Sequence, residues 1–335
     1  AMNGLKWGRR TAWILVLAAI LLAGLATEGE AGAKRTLKLG TVLPADNVIT
    51  MNATEFAKRV NDRAKGEVEV VVYPHTQLGN ERDLAEGMQL GTVEMAAIGT
   101  GIITNFVPEV GVTGLPFIFR DWDHLGMVLK SPVADRLGEL VLKKTGIRTL
   151  GWWKQGFRVT VTVKKPIHTI KDFEGLKIRL PEEKVLIRTF QLVKAAPTVI
   201  PWGEVYTSLQ TGVVDGMEST TPAIYTMKFY EVAQYLVETN HQHAVVQLLI
   251  SDKVFQSLSK EMQDVLRQAA REALDINYRE TQVASQKSWD LLRAKAKQTT
   301  YPDLKPFREA VQPLYKEFGD QTGTGDIIRQ IQATR

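Results

Sequence analysis

Gly175-Leu176-Lys177-Ile178-Arg179-Leu180-Pro181, the stretch GLKIRLP, decides how this 335-residue chain is read. Leu176, Ile178 and Leu180 alternate with Lys177 and Arg179, the period-two pattern of a half-buried strand. With the leucines and isoleucine facing a core, Arg179 points to the other side. Pro181 has no N–H to donate and ends the strand. Glu182 and Glu183 follow, suited to the first turn of a helix, where negative charge is favoured. Arg179 therefore sits at the carboxyl end of a strand just before a helix, the edge at which open α/β sheets bind ligands. On this stretch alone it reads either as a solvated arginine or as a guanidinium fork for a carboxylate.

Outward from that stretch the chain alternates strand and helix, hence α/β. Upstream, Thr36–Leu43 reads as a first strand and Pro44-Ala45-Asp46-Asn47 as a turn. A helix runs to about Lys65, a valine-dense strand from Val68 to Tyr73, and a helix from Asn80, with Asp83 three residues on, to Gly91. Glu94–Ile98 is a strand leading to Gly99-Thr100-Gly101, and Ser131-Pro132 caps a helix that Gly146 stops. Ile147–Trp153 is a strand, and Gln155-Gly156-Phe157-Arg158 turns into another, Val159–Val163. Trp152–Arg158 is the expected crossing between two domains.

Downstream, Thr169 and Asp172 form a capping-box pattern. Glu182–Lys194 reads as a helix, Val199–Pro201 as a short strand, and Trp202–Glu204 leads a helix that Gly212 stops. Val213–Met217 reads as strand and turn, and Ala244–Ile250 as a strand buried on both faces. Lys260–Tyr301 contains neither Gly nor Pro and predicts one long helix spanning both domains. The expected fold is α/β in two domains with mixed sheets, and the family resemblance given below implies that it is a two-domain periplasmic binding protein (type II-like). Domain I takes 34–157 plus about 244–283, domain II takes 158–243 plus about 284–335, and a ligand cleft lies between them.

The length and the 44% apolar content allow a substantial core, about two domains' worth. The net charge of +5 has no block structure, and no polybasic run suits nucleic acid. The absence of cysteine excludes disulfides, zinc–thiolate sites and cysteine nucleophiles. Lys6, Arg9 and Arg10 precede the apolar run Ala12–Leu25, and Ala31-Gly32-Ala33 is a small-x-small cleavage site. Residues 1–33 thus read as a secretory signal peptide, with an uncleaved anchor as the other reading, and the remainder as an exported periplasmic protein.

No G-x-S-x-G, P-loop or H-E-x-x-H motif is present, and Gly99-Thr100-Gly101 does not extend to a dinucleotide fingerprint. His241 and His243, expected on one strand face, lack a third zinc ligand at useful spacing. Neither a metal nor a cofactor is expected, and the chain reads as a binding protein rather than an enzyme. Arg158 and Arg179, in successive strands, are the candidate anion clamps. Trp153, Phe157 and Trp202 are candidates to cover a ligand's apolar part.

Six stretches then carry a family resemblance: QLGNERDLAEGMQLGTVEMAA, VPEVGVTGLPFIFRDWDH, GWWKQGFR, DFEGLKIRLPE, PWGEVYTSLQTGVVDGMES and FYEVAQYLVETNH. In this order the chain resembles the DctP-type substrate-binding proteins of TRAP (tripartite ATP-independent periplasmic) transporters. The resemblance implies two lobes closing over an organic acid and delivery to the two membrane subunits of a permease. It implies a monomer, with some relatives dimeric. By the motifs, Arg179 pairs with the ligand carboxylate, Arg158 is a second contact and Trp202 lines the pocket. Ser219 replaces a pocket asparagine, and Glu182 stands where sialic-acid-type relatives often carry a neutral polar residue. These departures point away from a sugar acid and leave a smaller or more apolar carboxylate open, an aromatic one included, given Trp152, Trp153 and Trp202. Trp153, Asn47 and Thr100 complete the expected ligand-binding set. A periplasmic sensor of the same fold, or an exported enzyme, are the other readings.

Overall fold

The computed structural model describes residues 35–335, so the leader expected over 1–33 lies outside it. Ten strands form one mixed sheet system: β1 (Arg35–Gly40), β2 (Val68–Tyr73), β3 (Met95–Gly99), β4 (Ile147–Thr162), β5 (Lys177–Leu180), β6 (Ala196–Val199), β7 (Gly216–Thr220), β8 (Tyr235–Val237), β9 (His243–Ser251) and β10 (Gln298–Thr300). Their order is β2-β1-β3-β9-β4-β7-β5-β6, with β8 pairing both β4 and β10.

The decisive strand is β4. From Ile147 to Phe157 it pairs antiparallel with β9; from Arg158 to Thr162 it pairs with β7 and β8. One strand therefore belongs to both halves. The turn expected at Gln155–Arg158 is instead a register shift between Lys154 and Gly156 within the strand. Gly156 has φ +127°, and a Cβ there would come within 2.9 Å of Ser285 Oγ. Here glycine is required both by backbone conformation and by close approach.

Local signals set most helix ends. At the start of the helix Glu81–Leu90 the Asp83 carboxylate accepts from the Asn80 N–H at 2.8 Å, as in a capping box, and Gly91 closes the helix in the left-handed conformation. Ser131 caps Pro132–Thr145, which Gly146 closes in the same way. The helix expected over 182–194 spans only Lys184–Leu192, with Glu183 as its cap, because a tight turn at Glu182, closed by the Glu183 N–H on the Pro181 carbonyl at 2.8 Å, leads into an extended Glu183.

The long helix ends at Lys295, not Tyr301. Ala296 turns extended, and Gln298–Thr300 leave to pair with β8. At 36 residues it is about 54 Å long. Met262, Leu266, Ala269, Ala270 and Ala273 pack into the first core, and Leu292 into a second. Midway, Asn277 accepts from the Lys154 N–H at 2.8 Å and donates to its carbonyl at 3.1 Å, riveting the helix to β4 beside the bulge.

Phe307 and Val311 join the core under β5, but Leu314, Phe318, Ile327, Ile328 and Ile331 join the first core. The last two helices, Pro313–Thr322 and Gly325–Ala333, thus bury their apolar faces in the first core, while Glu317 also pairs with Arg188 on the helix Lys184–Leu192. Their amphipathic pattern says that they bury a face, not which one. Among the described residues no helix is long and apolar enough to cross a membrane.

Candidate functional site

Leu176, Ile178 and Leu180 lie in the core beneath β5, so the alternation sends Arg179 to the other face. That face opens on a cavity between the halves, about 590 Å³ of space between atoms, part of it open to solvent. Thr41, Leu43, Glu81, Gly99 and Gly101 line it from one side; Arg179, Pro181, Glu183, Trp202 and Ser219 line it from the other; Gln155 and Arg158 contribute from β4.

Arg179 is 2% exposed. Its Nε and Nη2 both donate to the Ile200 carbonyl, at 2.9 and 2.7 Å, and its guanidinium lies 5.4 Å from the Trp202 ring centre. Nη1 makes no hydrogen bond to any described residue. Burial pushes the pKa down to about 10, with Glu218 and Glu81 opposing and Arg158 assisting. This is a buried cation with a dipole for a partner and no adjacent carboxylate, an unfavourable arrangement until an anion arrives.

Arg158 is different. Its Nε donates to Glu218 Oε2 and its Nη2 to Glu218 Oε1 at 2.6 Å, a bidentate pair that leaves only Nη1 unpaired. The antiparallel register explains this: Arg158 faces Thr220 and Thr160 faces Glu218, so Arg158 and Glu218 are diagonal neighbours on one face. Burial would raise the Glu218 pKa, but Arg158, with His241 at 3.2 Å, holds it at about 2. Burial also pulls against the charge on Arg158, and Glu218 outweighs it, so the net shift is upward. Sequence reasoning made Arg158 a free clamp and missed its internal partner, because that pairing depends on the β4–β7 register.

Ser219, on β7, and Trp202 line the cavity as expected. Four expected residues do not, among them Phe157, which packs against Trp122 and His243. Trp153 is fully buried in the first core. Asn47 caps the helix Val48–Arg63 through the Ile49 N–H and donates to Thr226 Oγ1 at 3.1 Å, linking the two halves. Thr100 opens a short helix and receives the Thr113 hydroxyl at 3.3 Å, while its neighbours Gly99 and Gly101 reach the cavity. Trp152 also packs in the first core. Two of the three tryptophans that suggested an aromatic ligand are therefore structural.

His241 and His243 have separate surroundings. His241 meets Glu218 and Thr239, and His243 packs against Trp122 and Phe157. Burial pushes the His243 pKa down to about 3. Among the described residues no group of three or more His, Cys, Asp or Glu could hold a metal ion.

Two acids in the wall were not singled out from sequence. Glu81 is half-buried, its Oε1 accepting from the Gly99 N–H at 2.8 Å. Burial raises its pKa, against that hydrogen bond and the two arginines. Glu183 is 6% exposed, and its Oε1 accepts from Gln242 Nε2 at 2.8 Å. Burial lifts it to about 7, despite Arg158 and Gln242. Read locally, Glu183 was only a first-turn acid; its place two residues after Pro181, beside Arg179, was the available signal.

Comparison with known proteins places this architecture. The family described as "Bacterial extracellular solute-binding protein, family 7" (DctP) matches residues 39–322. The sialic acid-binding periplasmic protein SiaP of Vibrio cholerae is 33% identical over 314 residues, 94% of this chain and 97% of that one. A TRAP periplasmic solute-binding protein from Polaromonas sp. JS666, bound to D-erythronate, superposes with TM-score 0.86 at 31% identity, covering 90% of this chain and 99% of that one. One from Sulfurospirillum deleyianum, with bound succinate, gives TM-score 0.85 at 32% identity, covering 91% and 100%.

Proposed function

This chain belongs to the bacterial extracellular solute-binding proteins of family 7, the periplasmic binding proteins of TRAP transporters, and from that premise we propose that it captures an organic carboxylate between its two halves and delivers it to a membrane permease. The observation that carries the reading is Arg179: a guanidinium 2% exposed, lining the cavity, with one N–H group unpaired. A carboxylate entering there adds a charged partner at Nη1 to the dipole partner already in place, around a guanidinium largely withdrawn from solvent. Such charge-assisted bonds are roughly twice as strong as neutral ones. Arg158 Nη1 and Ser219 are further donors for the same group, and Trp202 shapes the wall behind Arg179. The relatives described above are solute-binding proteins, two of them holding a carboxylic acid. β4 and the long helix, each running through both halves, supply the links about which the halves would close.

The test is a thermal-shift screen of mono-, di-, keto-, hydroxy-, aromatic and sugar acids on the purified protein. A ligand at 100 times its dissociation constant adds about 2.7 kcal/mol and raises the melting temperature visibly. Stabilisation by neutral or cationic solutes, with no acid active, would defeat the reading.

A further inference from the structure

The turn Glu182–Glu183, which follows Arg179 and Pro181, reaches across to the first half. Arg82 Nη1 donates to Glu182 Oε1 at 2.6 Å, and Asn105 Nδ2 to the Glu182 carbonyl at 3.2 Å. The Glu183 carboxyl fills a seat between Gly101 and Gly114. A Cβ on Gly101 would meet Oε2, and one on Gly114 would meet Oε1, both well inside 3.0 Å. Neither glycine is in the left-handed region, so the space demands glycine there, not the backbone. Gln242 completes the seat, its Nε2 donating to Glu183 Oε1 at 2.8 Å and to the Gly114 carbonyl at 3.0 Å. The Arg82 pair is half-exposed and contributes little. The buried seat is the stronger of the two links.

That seat offers the carboxyl no cation. Its bonded partner is a neutral amide, whereas Glu218 holds the fork of Arg158. The charged groups facing Glu183 are Arg158 on β4, Glu218 on β7 and Glu81 on the helix Glu81–Leu90. Arg158 is already closed on Glu218, and the two acids repel a third charge. The segment 100–106 carries no titratable residue, and the one acid of 108–114, Glu109, pairs with Lys144 instead. A carboxylate placed here loses water without gaining a counter-charge, which favours the neutral acid. Burial accordingly lifts the group to about 7. An anion entering the cavity that Glu183 lines works in the same direction.

We infer that capture is proton-linked: as the halves shut on an acid, Glu183 enters its glycine seat as a neutral carboxyl, taking from water a proton that the open form has released. This rests on the carboxylate reading above and adds a regulation to it. The molecule grips its acid more tightly as the surroundings turn acidic, whichever acid that is.

The experiment is titration calorimetry between pH 6 and pH 8 with butanoate, 2-oxobutanoate, benzoate, 2,3,4-trihydroxybutanoate and gluconate, acids that stay ionised throughout. Each acid that binds the wild type should lose about tenfold in affinity across that range, with one slope for all. At pH 6.5 the heats in PIPES and imidazole buffers should differ, reporting uptake of most of one proton. Glu183→Gln fits the seat without a titrating proton. It should flatten the slope to under about threefold and abolish the buffer difference. Glu81 is common to both proteins and cancels in the comparison. Gly114 is not part of the cavity lining, so Gly114→Ala crowds the seat without touching the ligand. It should weaken every acid by one common factor, at least about fivefold. A purely structural Glu183 would move neither pH readout. An unchanged slope in Glu183→Gln, equal heats in the two buffers, or unchanged affinity in Gly114→Ala would overturn the inference and leave the carboxylate reading standing. Silence of the wild type towards these acids and the rest of the screen would overturn both.

Discussion

Arg158 and Glu218 form a bidentate ion pair inside the protein, on adjacent antiparallel strands, with Glu218 fully buried. The pair spends most of one arginine's donors on the protein itself. Its removal should act on stability before it acts on binding. Glu218→Ala leaves the Arg158 charge buried and unpaired, and should cost about 3–5 kcal/mol in urea unfolding. The Glu218 pKa is held at about 2, so this contribution is complete above about pH 4.5 and lost as pH falls towards 2. A loss under 1 kcal/mol would mean that the pair is not closed in solution.

Arg179 has no such internal carboxylate, so its truncation should be felt in affinity. Arg179→Ala should weaken binding of the cognate acid by about 2–5 kcal/mol, roughly 30-fold to several thousandfold. Arg179→Lys should recover little, because an ammonium cannot reproduce the fork over the Ile200 carbonyl and a ligand together. Calorimetry on both variants checks this; unchanged affinity in Arg179→Ala would remove the arginine from the site.

Glu183 should reveal itself in the pH dependence of stability. Its carboxyl titrates near 7 in the folded chain against an ordinary 4.5. The folded state therefore holds this proton more tightly. The stability of the neutral form is complete below about pH 4.5 and declines as pH rises through 7, by about 3 kcal/mol in all. Glu183→Gln carries no such proton and should gain on the wild type across that window. Unfolding of both proteins at pH 4.5 and 7.5 measures the difference. Comparison with the variant matters because His243, held neutral by burial, works in the opposite sense, its contribution falling away as pH drops below about 6.5 towards 3. A constant difference between the two proteins would contradict a buried Glu183 carboxyl.

Gly156→Ala should destabilise by about 1–3 kcal/mol, since the site combines φ +127° with close approach to Ser285. Gly156→Ala with Ser285→Ala relieves the contact but not the backbone, so only part of the loss should return. Full recovery in the double variant would show that φ is not strained.

What could be read beforehand divides by the range of the interaction responsible. The strand Val68–Tyr73, the capping box at Asn80 and the stops at Gly91 and Gly146 depend on neighbours a few residues away, and they stand where expected. Arg179 was legible for the same reason, since alternation within four residues sets its face. Glu218 opposite Arg158 depends on strand register across 60 residues. The seat of Glu183 on Gly101 and Gly114 depends on two halves meeting. Trp153 shows the converse failure: an aromatic beside a crossing looks like a ligand wall, yet only the fold reveals that its ring points into the core.

The shared strand constrains how such a molecule moves. A ribbon hydrogen-bonded to β9 at one end and to β7 and β8 at the other cannot swing like a door on a loose loop. The closure proposed above would instead twist it where the ladder skips between Lys154 and Gly156, the spot at which Asn277 bonds to the backbone. Opening the cleft would load a torsion bar, so the empty molecule should rest at one preferred gape and spring back towards it.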